Sequence, residues 1–387
     1  MSGEPVQAPG RARPSSWHRP VWWANGVAVA GLLLAYLSSR VDPDPWWLLA
    51  FFGMAYPYLL LANVLCIAWW LYFRRRRAWP SLLAIALGWG FIGQYVQLWG
   101  STGQPANLRT PFTLMSWNVR LFDLYNWTHN QQTRDEMMEL IRVEDPDILC
   151  LQEFLNVDPG NPLMVKDSLL TNYRYTHCAD AYTVQARGGH SIGIAIFSTW
   201  PILAQGTLHF PDELNNLCLW ADIAVGADTI RVYTAHLASL RFGDKDYTFM
   251  RDLDQSMGMD SISRAGGRIV GRMKDAFIRR SAEVATITAH MATSPWPVVY
   301  CGDLNDTPMS YSHHALLRAG LSDAFVESGK GFGHTYIGDA PSFRIDHILH
   351  GPAFRSWGYR TLPDELSDHH AITCHLGLIG QQAALAP

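Results

Sequence analysis

The chain has 387 residues, 48% of them hydrophobic and only 17% charged, with a formal net charge of −4. That composition excludes a disordered chain, a collagen, a coiled coil and a small disulfide scaffold. The charge is split: residues 1–110 hold 9 Lys and Arg against 3 Asp and Glu (net +6), and the remainder holds 21 against 31 (net −10). An apolar, basic segment therefore precedes a large acidic globular part.

Within residues 1–110 the stretches Val21–Ser39, Trp46–Phe73 and Ala78–Leu108 contain no Asp, Glu, Lys, Arg or His. About 20 apolar residues suffice to cross the hydrocarbon core as a helix. The pattern predicts three transmembrane helices, over about 21–39, 46–73 and 79–99, followed by a linker. Indoles near the segment ends (Trp22, Trp23, Trp46, Trp47, Trp69, Trp70, Trp79, Trp99) suit the headgroup level. Arg11, Arg13 and Arg19 precede the first segment and Arg74–Arg77 separate the second from the third. The positive-inside rule then places these Arg in the cytoplasm and the C-terminal domain outside it, in the periplasm of a bacterial inner-membrane protein. The lipid bilayer is the partner this implies, and no obligate protein partner is inferred. The six Cys show no metal-type spacing and no disulfide framework is expected.

Beyond the linker, Phe112–Val119 alternates as a strand and Thr133–Val143 has helical spacing with acidic residues in its first turn. The short apolar runs Ile148–Leu151, Ser191–Phe197, Leu217–Val225, Ile230–Ala235, Val298–Cys301, Phe343–Leu349 and Ala371–Leu376 read as buried strands. A helix is expected from Arg272 to about Ala292. The polar stretch Arg241–Gly271 reads as a long loop, either a lid facing substrate or membrane or a plain insertion. Many strands with few helices predict an α/β sandwich.

Polar residues gather where these strands end. Asn118 closes the first, Gln152 and Glu153 the next, His236 follows Ile230–Ala235, and Asp303, Leu304, Asn305 and Asp306 follow Val298–Gly302. Asp346 and His347 open one late run; Ser367, Asp368 and His369 open the last. Glu153, Asp303, Asp368, Asn118 and Asn305 are hard oxygen donors suited to Mg²⁺ or Mn²⁺. His236 and His369 are imidazoles able to donate to phosphate oxygens or to move a proton. Singly, each fragment is an ordinary turn or core histidine. Six of them in order, each at a strand boundary, point to one site.

Trp117-Asn118, Leu151-Gln152-Glu153, Gly193–Ser198, Thr234-Ala235-His236-Leu237, Gly302-Asp303-Leu304-Asn305, Arg344–Ile348 and Ser367-Asp368-His369 resemble the motifs of the endonuclease/exonuclease/phosphatase superfamily. The resemblance covers 111 to about 380. It implies a four-layer α/β sandwich of the deoxyribonuclease I type, here preceded by the three membrane helices, and metal-dependent hydrolysis of a phosphodiester or phosphomonoester by in-line attack of water. Matched motif by motif, Glu153 would bind Mg²⁺ (or Mn²⁺) with Asn118 and Asp368 beside it. Asp303 would orient or deprotonate the water, and Asn305 would hold it or the phosphoryl group. His369 would hydrogen-bond the phosphate, held by Asp346, and His236 would do so from the other side. His347 replaces the Tyr usual after Arg-Ile-Asp, and Thr199 replaces the basic residue usual after the strand ending at Ser198. His313, His314 and His370 are read as solvated or structural, and Asp306 as a turn or supporting residue. Nucleic acid, phospholipid and inositol phosphate all remain candidate substrates, although a net of −10 works against binding a polyanion. The rival from another class is a membrane-tethered scaffold that kept the fold and lost the chemistry.

Overall fold

The computed structural model describes residues 18–157, 164–186, 189–210, 216–240, 259–338 and 342–380. The described residues open with five α-helices, α1 (His18–Ser38), α2 (Pro43–Met54), α3 (Tyr56–Phe73), α4 (Trp79–Leu87) and α5 (Trp89–Ile92). Two of them, α1 and α3, are long and apolar enough to cross a membrane. The expectation of three uninterrupted spans is thereby corrected. Residues 46–73 break at Ala55, where Pro57 enters the first turn of α3 and cannot continue the preceding ladder. Residues 79–99 break at Gly88, and the helix stops at Ile92, just before Gly93. Inside the unit Trp70 Nε1 donates to Asn25 Oδ1 (3.0 Å), Asn25 Nδ2 to Ser81 Oγ (2.5 Å), and Asn63 Nδ2 to the Ala28 carbonyl (2.9 Å). Such bonds join helices where water is scarce.

Two six-stranded sheets follow. In order of pairing, the first contains β11 (Phe354–Thr361), β12 (Ile372–Ile379), β1 (Leu108–Asn118), β2 (Ile148–Val157), β4 (His190–Ser198) and β3 (His177–Ala186). The second contains β5 (Ile202–His209), β6 (Leu217–Val225), β7 (Asp228–His236), β8 (Val298–Asp303), β10 (Asp346–His350) and β9 (Ser322–Asp323). The two-residue period sorts their side chains into layers. Leu114, Ile148, Cys150, Ile230, Val232, Val299 and Cys301 meet between the sheets. Met115, Trp117, Leu149 and Leu151 face outward beneath α6 (Thr133–Glu144) and α7 (Val165–Asn172). Tyr233, Ala235 and Tyr300 face outward beneath α8 (Met259–Met291) and α9 (Tyr311–Arg318). Central strands covered on both faces are apolar throughout, which explains their uniform runs. The order helices, sheet, sheet, helices is the expected four-layer sandwich.

Within each sheet one pair is parallel, β1 with β2 and β7 with β8, and the other pairings are antiparallel. A parallel pair needs a crossover, supplied by α6 in the first sheet and α8 in the second. It also sends both its C-terminal ends to the same edge. Helix α8 starts well before Arg272, so 259–271 is helical and not loop; residues 241–258 of the expected loop lie outside the described residues. Strands β3, β5 and β11 were not foreseen, and they are edge or near-edge strands without an apolar run; β5 is largely exposed.

Gly302 is the residue that lets β8 lie close against β7. Its φ is +137°, and a Cβ there would collide with the Ala235 carbonyl. Gly302→Ala is expected to lower stability by about 2–4 kcal/mol, read as a drop in thermal unfolding temperature. An unchanged unfolding temperature would contradict this packing.

Candidate active site

Six strand ends converge on one edge of the sandwich. Asn118 ends β1, Glu153 lies in β2 just past its last paired residue with β1, His236 ends β7 and Asp303 ends β8. Asp346 opens β10 directly opposite Asp303 in the ladder. His369 precedes β12, whose first residue pairs with Ser116 of β1. Each position follows from strand direction: the parallel strands arrive at this edge and their antiparallel neighbours leave from it.

The side chains are joined directly. Asn118 Nδ2 donates to Glu153 Oε1 (3.3 Å) and to Asp303 Oδ2 (3.1 Å), and Asn118 Oδ1 accepts from the Arg120 amide (3.1 Å). His236 Nε2 lies 3.7 Å from both Glu153 Oε1 and Asp303 Oδ2. His369 Nδ1 lies 2.8 Å from Asp346 Oδ2, and its Nε2 lies 3.7 Å from Asp303 Oδ2. Asp303 Oδ1 accepts from the Asn305 amide (2.7 Å), and Asn305 Nδ2 donates to the Leu237 carbonyl (3.0 Å). Asp368 approaches Arg120 Nε at 3.4 Å. All eight residues expected at the site thus lie in or beside one cluster. Glu153 and His236 also line a cleft of ≈ 220 Å³ with Leu121, Gly193 and Leu217. Another cavity, lined by Arg134, Met138 and Tyr173 between α6 and α7, holds none of these groups.

Electrostatics gives the groups different characters. Burial pushes the Asp303 and Asp368 carboxyls up. Burial works to lower His369, but the Asp346, Asp303 and Asp368 carboxylates outweigh it and raise its pKa to about 10. At neutral pH His369 is therefore an imidazolium, a donor and not a base. Glu153 is different again: a third of its side chain is open to solvent, at the edge of the cleft.

The donor chemistry fits a divalent cation. Asp303, Asp346 and His369 bring ligand-type atoms within 4.8 Å of one another, but a protonated His369 offers no lone pair, so the carboxylates carry the fit; Asp346 Oδ1 is a buried oxygen with no hydrogen-bond partner. With Glu153 and Asp368 these are mostly hard oxygens, the set that Mg²⁺ or Mn²⁺ prefers. A second buried group, His313, Asp323 and His347, has similar spacing. There Arg344 already supplies the positive charge: it donates to Asp323 Oδ2 (2.7 Å) and lies 3.0 Å from His347 Nδ1. Although burial would raise it, the Asp323 carboxyl is held far below the usual range by Arg344 and His313. His313 is thus structural and buried, not solvated.

Several residues have supporting roles that the sequence does not assign, although Trp117, Gln152, Thr234 and Ser367 stand in its motifs. Gln152 Nε2 bonds Ser116 Oγ (3.1 Å) and Thr234 Oγ1 (2.8 Å), tying the two sheets together behind Glu153. Ser367 Oγ donates to the Asn118 carbonyl (2.8 Å), and Trp117 Nε1 to the His369 carbonyl (2.9 Å). Arg120 lies over the Trp127 ring at 4.4 Å. The available signal was adjacency: each except Trp127 sits within two residues of an expected site residue.

Residues 115–369 match the Endonuclease/Exonuclease/phosphatase family. The chain belongs to that family. Residues 18–95 match a domain of unknown function. No functionally curated protein matches the chain. Among solved structures, an endonuclease/exonuclease/phosphatase from Beutenbergia cavernae is 18% identical with TM-score 0.50, covering 70% of this chain and 72% of that one. The human Nocturnin catalytic domain with bound sulfate is 17% identical with TM-score 0.50, covering 70% and 94%. A family protein from Bacteroides thetaiotaomicron is 17% identical with TM-score 0.50, covering 70% and 98%. These likenesses show the shared fold.

The raised His369 pKa carries a sign. A group whose pKa is higher folded than unfolded stabilises fully below its ordinary value of ~6.5 and loses that contribution as pH rises through the folded value. In protein stripped with EDTA, the gap in unfolding temperature between wild type and His369→Asn should be widest near pH 6 and narrow toward pH 10. A gap that stays constant over that range would contradict the charge assignment.

Proposed function

We propose that the protein is a membrane-anchored, divalent-metal-dependent phosphoesterase that hydrolyses a phosphodiester or phosphomonoester by in-line attack of water. The observation that carries this reading is the meeting of Glu153, Asp303, Asp346, His236 and His369 at one sheet edge. Glu153 would hold Mg²⁺ (or Mn²⁺), with Asn118 and Asp368 beside it, and the ion would supply Lewis-acid polarisation of a phosphoryl oxygen. Asp303, its carboxyl pushed up by burial, orients the water and takes its proton. Asn305, fixed by Asp303 and Leu237, steadies the water or the phosphoryl group. The His369 imidazolium, aligned by Asp346, donates from Nε2 to a non-bridging oxygen where charge builds. His236 donates from the opposite side.

With the full-length protein, bis(p-nitrophenyl) phosphate should be hydrolysed with Mg²⁺ and not with EDTA. Glu153→Ala, Asp303→Asn and His369→Ala should each lower kcat by about 10²–10⁴-fold. No turnover with any divalent metal would favour the silent scaffold instead. Comparing phospholipid, inositol phosphate, DNA and RNA would identify the substrate. The net charge of −10 beyond residue 110 supports a lipid or small phosphoester over a nucleic acid.

Anchoring in a bacterial inner membrane, with the catalytic domain in the periplasm, is supported by where charge lies along the helical unit. Arg77 stacks over Trp22 and Trp70 at one end, beside Arg74–Arg76. Ser39 and Asp42, at the other end of α1, touch the catalytic domain. Beyond Arg77 the chain continues through the two short helices α4 and α5. It returns toward the domain: Ser81 meets Asn25, and further on Phe91 stacks on Tyr36. Alkaline phosphatase fused after Trp99 should be active in a bacterial host; an inactive, stably produced fusion would reverse the orientation.

A further inference from the structure

The helical unit does more than hang a domain from a bilayer. Past Asp303 and Asn305 the loop runs through Asp306 and Thr307 to Met309, whose fully buried side chain packs with Leu32, Ala35, Tyr56 and Ala84 of the helical unit. The Met309 amide donates to the Tyr95 hydroxyl (3.3 Å). Gly53 of α2 lies against the same point: a Cβ there would collide with the Ser38 hydroxyl and stand 3.2 Å from the Met309 carbonyl. The segment carrying Asp346 is held as well. Arg344, two residues earlier and buried, donates to the Gln94 carbonyl (2.9 Å) while bonding Asp323 and contacting His347. Around these contacts Gln97 and Gly331 exchange two backbone bonds (2.9 and 2.8 Å), Ser281 Oγ donates to Asp42 (2.8 Å), and Phe51 meets Phe277 edge-on at 5.2 Å.

A flexible tether would need none of this. We propose that residues 18–95 form a docked base for the reaction centre, with Tyr95 as a positioning residue that holds the Leu304–Met309 loop, and so Asp303 and Asn305, in place. The base touches two of the segments that deliver acidic groups to the site, the loop behind Asp303 and the approach to Asp346. A displacement of about 1 Å at reacting groups is enough to cost up to 10²-fold in rate. Loosening one hydrogen bond at the back of the loop acts on that scale without removing any group that meets substrate.

The proposal rests on the phosphoesterase reading only for its kinetic arm. In the first experiment a specific protease site is inserted between the exposed Gly103 and Gln104 of the full chain. After detergent solubilisation and cleavage, the helical fragment and the catalytic fragment should co-elute on size exclusion. In the second, Tyr95→Phe and Gly53→Ala are compared with wild type on a soluble phosphodiester. Each should lower kcat about three- to tenfold with KM unchanged, since the substrate contacts remain. Fragments that separate while the freed catalytic part keeps the uncut kcat would overturn the proposal, as would two variants with wild-type kcat. If the uncut wild type shows no turnover, the functional reading fails instead, and co-elution alone decides the docking.

Discussion

Two buried acids face each other across one rung of an antiparallel ladder. Asp303 and Asp346 are register partners, each about 1% exposed, and the imidazole of His369 stands between them at 3.7 and 2.8 Å. Like charges this close and this dry are costly unless a cation joins them. His369 supplies one. The site therefore needs the last strand to arrive from the other sheet, bringing His369 to an edge built by β8 and β10. The Trp117 and Ser367 bonds fix that arrival, because they clamp the Asp368-His369 turn onto the end of β1.

The same dependence extends outward. His369 is placed by Asp346, Asp346 follows Arg344, and Arg344 is held on one side by Asp323 and on the other by the carbonyl of Gln94. The path from the imidazole to the helical unit thus crosses few residues. These contacts fix the site at one height and one tilt relative to the helical unit.

Much of the fold was legible because its central strands are buried on both faces and its helices α6 and α8 show a clear 3.6-residue rhythm. The α/β sandwich and its strand ends could be read from apolar runs closed by Asn, Glu, His and Asp, while the roles expected of the eight residues gathered there came from the family resemblance. What escaped has a physical reason in each case. Strand β5 mixes Ala204, Gln205, Gly206 and Thr207 with few apolar residues, since its role is an edge, so no run announces it. The helix breaks at Ala55 and Gly88 interrupt segments that are apolar throughout, and hydropathy does not register a kink. His313 could be read only as solvated or structural, because its partner Asp323 is ten residues away in sequence and on another element, a pairing that only the fold creates.

Backbone strain gathers at the same edge. Glu153 has φ +49°, Asn305 +51°, and Arg120, Leu121, Phe122 and Asp123 run consecutively from +41° to +57°. Left-handed conformations cost ordinary residues roughly 1–2 kcal/mol each. Each case is compensated locally: the Asn118 side chain accepts the Arg120 amide, Asp303 accepts the Asn305 amide, and the Val119 amide reaches the Gln152 carbonyl (3.0 Å) beside Glu153. Two of those acceptors are themselves site residues. The bend at Glu153 shifts the ladder between Leu151 and Phe154 and turns the carboxylate out of the sheet toward the cleft. A regular strand would leave that side chain packed between layers, so the strain is what allows one acid to face solvent while its neighbours Asp303 and Asp346 stay dry.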